Sequence, residues 1–263
     1  MANHLDLAMN IIDSHCHINF PELVSDIDGV MERMAENHVS NALCVSVNLE
    51  KFPEVLSLAE RYENIYASVG VHPDTQSGED PTVERLVSLS AHPKVVAIGE
   101  TGLDYFRTEG DTTWQRDRFR AHIQAAREVN KPLIIHTREA GDDTLGILRE
   151  EGEGLVRGVM HCFTETLEFA RASIDLGFFI SFSGIITFKN AQEIRDVAKV
   201  IPLESILIET DSPYLAPVPK RGKTNEPSYV RYVLEEVARV KELPIDVVAQ
   251  ATTQNFHRLF LAV

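Results

Sequence analysis

Two histidines separated by one residue, His15 and His17 in the run IIDSHCHINF, are the first residues in the chain able to do chemistry. An extended backbone puts residues i and i+2 on one face. An H-x-H pair there has the spacing of metal ligands, and imidazole suits zinc, manganese or iron-type ions. Cys16 between them is expected to point the other way, into packing. Glu100 ends the apolar run VVAIGE, with Gly99 before it and Gly102 just after. A carboxylate at the end of a buried strand is costly unless something pairs with it, and its two oxygens can bridge two cations. His136 closes PLIIH, His161 follows VRGVM and Asp211 follows ILIET. One histidine at a strand end is most simply a turn residue; ligands arriving together at the ends of five separate runs point to a shared metal site. These six donors exceed the four that a single tetrahedral zinc needs. The natural division gives one ion to His15, His17 and Asp211 and a second to His136 and His161, with Glu100 between them. Both would keep positions open to activate a water and hold the oxygens of a phosphoryl or acyl group.

Around this set stand residues with weaker signals. Glu209, two before Asp211, is counted with Glu100 and Asp211 as a catalytic carboxylate, expected to orient a bound water or a histidine from the second layer. His72, in GVHP, faces the same rim and is a candidate substrate-phosphate contact. Tyr105 and Asp104 follow the Glu100 run and Arg138 follows His136, all placed to shape a substrate pocket. Lys220-Arg221-Gly222-Lys223 is the one basic cluster in an acidic chain; Arg221 and Lys223 are candidate phosphate guides, against a plain solvated loop. Asp13 most simply anchors the first strand. His4, His38, His92, His122 and His257 are assigned no chemistry, and Cys44 and Cys162 read as small buried side chains. No GxGxxG or P-loop is present, so no nucleotide cofactor is indicated.

The elements that must position these residues alternate. Short β-branched runs at 10–14, 41–47, 65–71, 95–100, 133–136, 156–161, 178–181 and 205–209 are each followed by an amphipathic stretch long enough for a crossover helix. Several are continuously apolar, as strands buried on both faces are. In 114–130 the apolar positions Phe119, Ile123 and Ala126 recur at helical steps, and Pro132 helps end that helix. Helices at about 228–241 and 245–261 are expected to cover the outside. Eight strand–helix units predict an α/β TIM (β/α)₈ barrel over 1–263 as a single domain, with an open doubly wound sheet as the alternative. The donors then fall at the C-terminal ends of strands, where barrel active sites form.

The chain has 263 residues, 44% hydrophobic and 25% charged, normal for a globular protein with a full core. With 25 basic against 40 acidic residues the net charge is −15, which argues against coating nucleic acid but not against taking a phosphodiester into a pocket governed by cations. No apolar run reaches the roughly 18 residues of a membrane span. MANHLDLAMN lacks the features of a signal peptide. Three cysteines make a disulfide framework improbable, so a cytoplasmic setting is expected.

The chain resembles the TatD-type metal-dependent hydrolases along almost its whole length. The matching stretches are DSHCH at 13–17, GVHP at 70–73, GETGLDY at 99–105, IHTRE at 135–139, HCF at 161–163, SFSGIITF at 181–188, ETDSPYLAP at 209–217 and TTQNFHRLF at 252–260. PVP-RGK after ETDSPYLAP is shared with an uncharacterised bacterial branch. The resemblance implies a TIM barrel with two divalent ions (magnesium, manganese or zinc) and, as the leading activity, metal-dependent removal of nucleotides from DNA 3′ ends. The alternative is acyl or amide hydrolysis, such as deacylation of an aminoacyl-tRNA ester. Amidohydrolases of that kind often bridge their metals with a carboxylated lysine, where this chain offers Glu100. A non-catalytic metal-binding scaffold is the third reading, disfavoured by the open ligand positions.

Overall fold

Eight parallel strands run in sequence order around one sheet: β1 (Ile11–Cys16), β2 (Val39–Cys44), β3 (Ile65–Val69), β4 (Val95–Asp104), β5 (Leu133–Arg138), β6 (Gly158–Met160), β7 (Phe178–Phe182) and β8 (Ile206–Ile208). The computed structural model describes residues 10–108 and 110–262. The leader reading and His4 lie outside the described residues. β8 returns to β1: Ser14 Oγ donates to the Ile208 carbonyl at 3.0 Å, Asp211 N to the His15 carbonyl at 2.9 Å, and His17 N to the Ser212 carbonyl at 2.8 Å. These bonds make the nearly closed barrel expected over an open sheet. All eight strands lie where apolar runs predicted them, with ends shifted by a few residues.

Ten α-helices lie between and after the strands: α1 (Pro21–Val24), α2 (Ile27–Glu36), α3 (Phe52–Arg61), α4 (Val83–Ser90), α5 (Thr113–Val129), α6 (Gly141–Gly152), α7 (Leu167–Asp175), α8 (Gln192–Val200), α9 (Val230–Lys241) and α10 (Ile245–Phe256). Asn130, not only Pro132, ends α5: it takes the left-handed conformation at φ +53°, which asparagine tolerates better than most residues. Among the described residues no helix is long and apolar enough to cross a membrane.

Strand residues alternate between two cores. Ile206 and Ile208, or Leu133 and Ile135, pack outward against helices in the main cluster. Leu207, Ile134, Val159 and Ile12 belong to a separate inner cluster that also contains Phe256, Leu259 and Phe260. The end of α10 and the turn His257–Leu261 therefore plug the barrel rather than only covering its outside. A polar pin joins β1 to the segment after β8: the buried Asp13 carboxylate accepts from Thr210 N at 2.8 Å and from its hydroxyl at 2.5 Å.

Candidate metal centre

Glu100 sits at the middle of the C-terminal rim, 2% exposed, on a stretch of β4 whose register against β5 is irregular between Ile98 and Thr101. The glycines around it have positive φ, +145° at Gly99 and +131° at Gly102. A β-carbon at Gly102 would overlap the His136 carbonyl of β5, so glycine lets the two strands approach here.

The two oxygens of Glu100 face different sets of donors. Oε2 lies 3.5 Å from His15 Nε2 and 3.9 Å from His17 Nε2. Those two nitrogens are 3.2 Å apart, and Asp211 Oδ1 lies 3.6 and 3.4 Å from them. Four donors on a tetrahedron with bonds of about 2.1 Å sit about 3.4 Å from one another, so this set matches the size of a metal site. Oε1 lies 2.8 Å from His161 Nε2, 3.3 Å from His136 Nδ1 and 3.3 Å from His72 Nε2. His72, read as a substrate contact, thus stands as near to Glu100 as His136 does. A nitrogen of His161 also comes within 4.8 Å of His15 and Asp211 donors, so it stands between the two sets.

The other nitrogen of most of these rings is held. His17 Nδ1 donates to the Val45 carbonyl at 2.9 Å. His72 Nδ1 is 2.5 Å from Asp74 Oδ1, His136 Nε2 is 3.1 Å from Asp104 Oδ2, and His161 Nδ1 is 3.2 Å from Glu209 Oε1. An acceptor on the far nitrogen fixes the tautomer and turns the near nitrogen's lone pair inward, as metal-ligating histidines require. Glu209 Oε1 also accepts from Cys162 N at 2.7 Å. His161 Nε2 is buried and, although Glu100 Oε1 lies 2.8 Å away, no aligned hydrogen bond joins the two. A buried polar atom is rarely left so, and a divalent ion between it and Glu100 would satisfy it. Histidine nitrogens and carboxylate oxygens are donors such ions accept.

Charge follows the same geometry. Burial opposes ionisation of Glu100, but the neighbouring His161 and His72 charges hold it well below the usual carboxylate range. Burial likewise opposes Asp211, yet His17 and the adjacent imidazoles lower it. His72 is penalised by burial, and Glu100 and Asp74 outweigh that and push it up to about 10. His15 has too little compensation; burial and His161 lower it.

A cleft of about 820 Å³ opens over these donors, lined by His17, Phe20, His72, Arg107, Arg138 and Tyr214 among others. Arg138 borders it, its guanidinium 3.8 Å from the Phe106 ring centre. Tyr105 is not among the lining residues; its hydroxyl donates to Asp143 at 2.5 Å. Arg221 and Lys223 do not line the cleft either. Arg221 stacks on Phe188 at 3.9 Å and donates to the Ala216 carbonyl, and Lys223 is exposed on the loop. Sequence reasoning missed Asp74, Arg107, Phe20 and Tyr214. Asp74 is only two residues from His72, and that spacing was the available signal; Arg107 pairs with Asp74 at 2.9 Å. Cys16 is buried and directed at the Leu43 carbonyl, as expected, while His122 is a buried helix residue whose Nε2 accepts from Val71 N.

A (β/α)₈ barrel with clusters of histidine and carboxylate donors at its C-terminal rim is the framework of a metal-dependent hydrolase. Residues 12–261 match the family model for TatD related DNase. The uncharacterized metal-dependent hydrolase YcfH of Escherichia coli is 48% identical over 256 residues, 96% of each chain. YabD of Bacillus subtilis, also named an uncharacterized metal-dependent hydrolase, is 43% identical over 251 residues, 95% of this chain and 98% of its own. The crystal structure of YjjV, a TatD homologue from Escherichia coli, superposes with a TM-score of 0.90 at 31% identity, covering 98% of this chain and 100% of that one. The chain belongs to the TatD family of metal-dependent hydrolases.

Proposed function

We propose that the protein is a two-metal phosphodiester hydrolase that removes nucleotides from DNA 3′ ends, acting in the cytoplasm. The observation that carries the reading is Glu100, whose oxygens each face a separate donor set across one carboxylate. His15, His17 and Asp211 would hold one ion, and His136 and His161 the other, with Glu100 shared and His72 close to the second. Divalent ions held there lower the pKa of a water and neutralise charge building on phosphoryl oxygens.

The chain's own residues supply position and charge. Glu209, Asp104 and Asp74 hold His161, His136 and His72 in the orientations that turn their near nitrogens to Glu100. Arg107 and Arg138 on the cleft wall bring positive charge to a phosphate that the acidic surface would otherwise repel. Three free thiols, all in buried or half-buried positions, suit a reducing compartment. The family model's own description, TatD related DNase, supports the choice of DNA.

The test is hydrolysis of end-labelled single-stranded DNA with magnesium, manganese or zinc, comparing the wild type with Glu100→Ala. Metal-dependent release of nucleotides from the 3′ end, abolished in the variant, is the expected result. Full metal occupancy with no strand cleaved would overturn the nuclease reading and direct the search to aminoacyl esters and cyclic amides.

A further inference from the structure

Among the described residues, the exposed aromatic rings are Phe106 at 57% and Tyr214 at 53%. Both lie in loops at the mouth of the cleft, after β4 and after β8. Leaving an aromatic ring in water forgoes the burial that usually rewards it. Phe106 is at least capped by the Arg138 guanidinium. Tyr214 has a rigid mount: its N–H donates to the Asp211 carbonyl at 3.1 Å, and its carbonyl accepts from the buried Asn225 amide at 2.6 Å. The ring is therefore presented at a fixed place instead of hanging from a loose loop.

That place continues inward. Phe20 lies against His17, ring centres 4.9 Å apart and nearly parallel at 17°. Tyr214 meets Phe20 edge-on, at 6.2 Å and 77°. Rings thus lead from the donor set to solvent along one wall, and both Phe20 and Tyr214 line the cleft. The same cleft carries the cations Arg107 and Arg138. Aromatic faces beside cations that track a phosphate backbone are how proteins hold unpaired nucleotides, because every base offers a π-face.

We propose that Tyr214, buttressed edge-on by Phe20, forms a stacking platform for one nucleobase adjoining the phosphate at the metal centre. The inference rests on the phosphodiester reading above and adds a requirement to it: the enzyme recognises a base as well as a phosphate. A strand with an abasic sugar at that position keeps its phosphates and loses the platform contact.

The experiment uses single strands carrying 2-aminopurine at the 3′-terminal or the penultimate position, and matched strands abasic at those positions. Stacking quenches 2-aminopurine, so binding is read without hydrolysis. Wild type should quench at one of the two positions and prefer the base-bearing strand. Tyr214→Ala should lose the quench and raise KM for that strand about 5- to 150-fold, bringing the ratio between base-bearing and abasic strands close to one. Tyr214→Phe, which keeps a ring, should restore both. Absence of quenching at both positions in the wild type, or an equal KM rise on abasic strands, would overturn the platform. Cleavage without quenching leaves the nuclease reading standing and the platform refuted; quenching without cleavage of any strand does the reverse.

Discussion

Replacing Glu100 by glutamine keeps the size of the side chain and removes the charge that faces both donor sets. If one carboxylate serves two ions, a single substitution must weaken both. An ion present at 100 times its Kd stabilises the fold that binds it by about 2.7 kcal/mol. In a chain of 263 residues each kcal/mol moves the melting temperature by about 2–4 °C. Each ion should then raise Tm by about 5–11 °C, measured as the difference between chelated and metal-loaded protein so that effects on the metal-free fold cancel. Wild type should bind two ions by equilibrium dialysis with elemental analysis and show both increments; Glu100→Gln should lose both together. Asp104→Asn is the control, since Asp104 touches His136 alone among the donors. Loss of such a supporting carboxylate weakens metal binding about 10- to 100-fold, and it should do so at one site. Wild-type affinity for a second ion in Glu100→Gln would refute the bridging geometry, and so would a wild-type stoichiometry of one.

Two predictions concern the scaffold. Burial lowers His122 to about 4, below the roughly 6.5 of an unfolded histidine, so the unfolded chain takes the proton first as pH falls. Its stability contribution is complete above pH 6.5 and is lost as pH drops towards 4, by about 2 kcal/mol between pH 7 and 5; urea midpoints should show that part of the slope vanish in His122→Gln, and an unchanged slope would refute it. At Gly102, φ is +131° and a β-carbon overlaps the His136 carbonyl. Gly102→Ala should therefore cost roughly 1–3 kcal/mol and weaken metal binding as β4 and β5 part, both checked by melting and dialysis; a variant as stable as wild type would show that the strands tolerate the gap.

The strands were legible because burial on both faces forces continuous apolar runs, and ILI, LII and VVAI carry that mark within single segments. The donors were legible for a related reason. A histidine or carboxylate closing such a run has no neutral explanation when five strand ends do it together. What stayed hidden depends on contacts between distant segments or on side-chain direction in loops. Arg221 sits in the one basic run of the sequence, but its guanidinium turns onto Phe188. Tyr105 opens the loop at the rim and turns to Asp143. The end of α10 has the pattern of a surface helix, and only the closed barrel shows that Phe256 and Phe260 have an interior to fill.

Apart from Glu209, expected from its spacing to Asp211 to orient a water or a histidine, the least legible layer is the one that orients the donors. Val45, Asp74, Asp104 and Glu209 come from four different segments, and each holds the outer nitrogen of a different histidine. A histidine unconstrained in this way divides its time between tautomers and ring positions, and an ion would have to order it on binding. With these acceptors in place the ordering is done by folding, so affinity depends on residues beyond the ligands themselves. His15 is the exception. Its Nδ1 has no partner, and its ring is held instead by stacking on His161 at 4.0 Å. The first donor set is therefore braced through the second, and weakening the hold of Glu209 on His161 should reach His15 as well. That coupling follows from packing alone, and it makes the pair of sites one unit around Glu100.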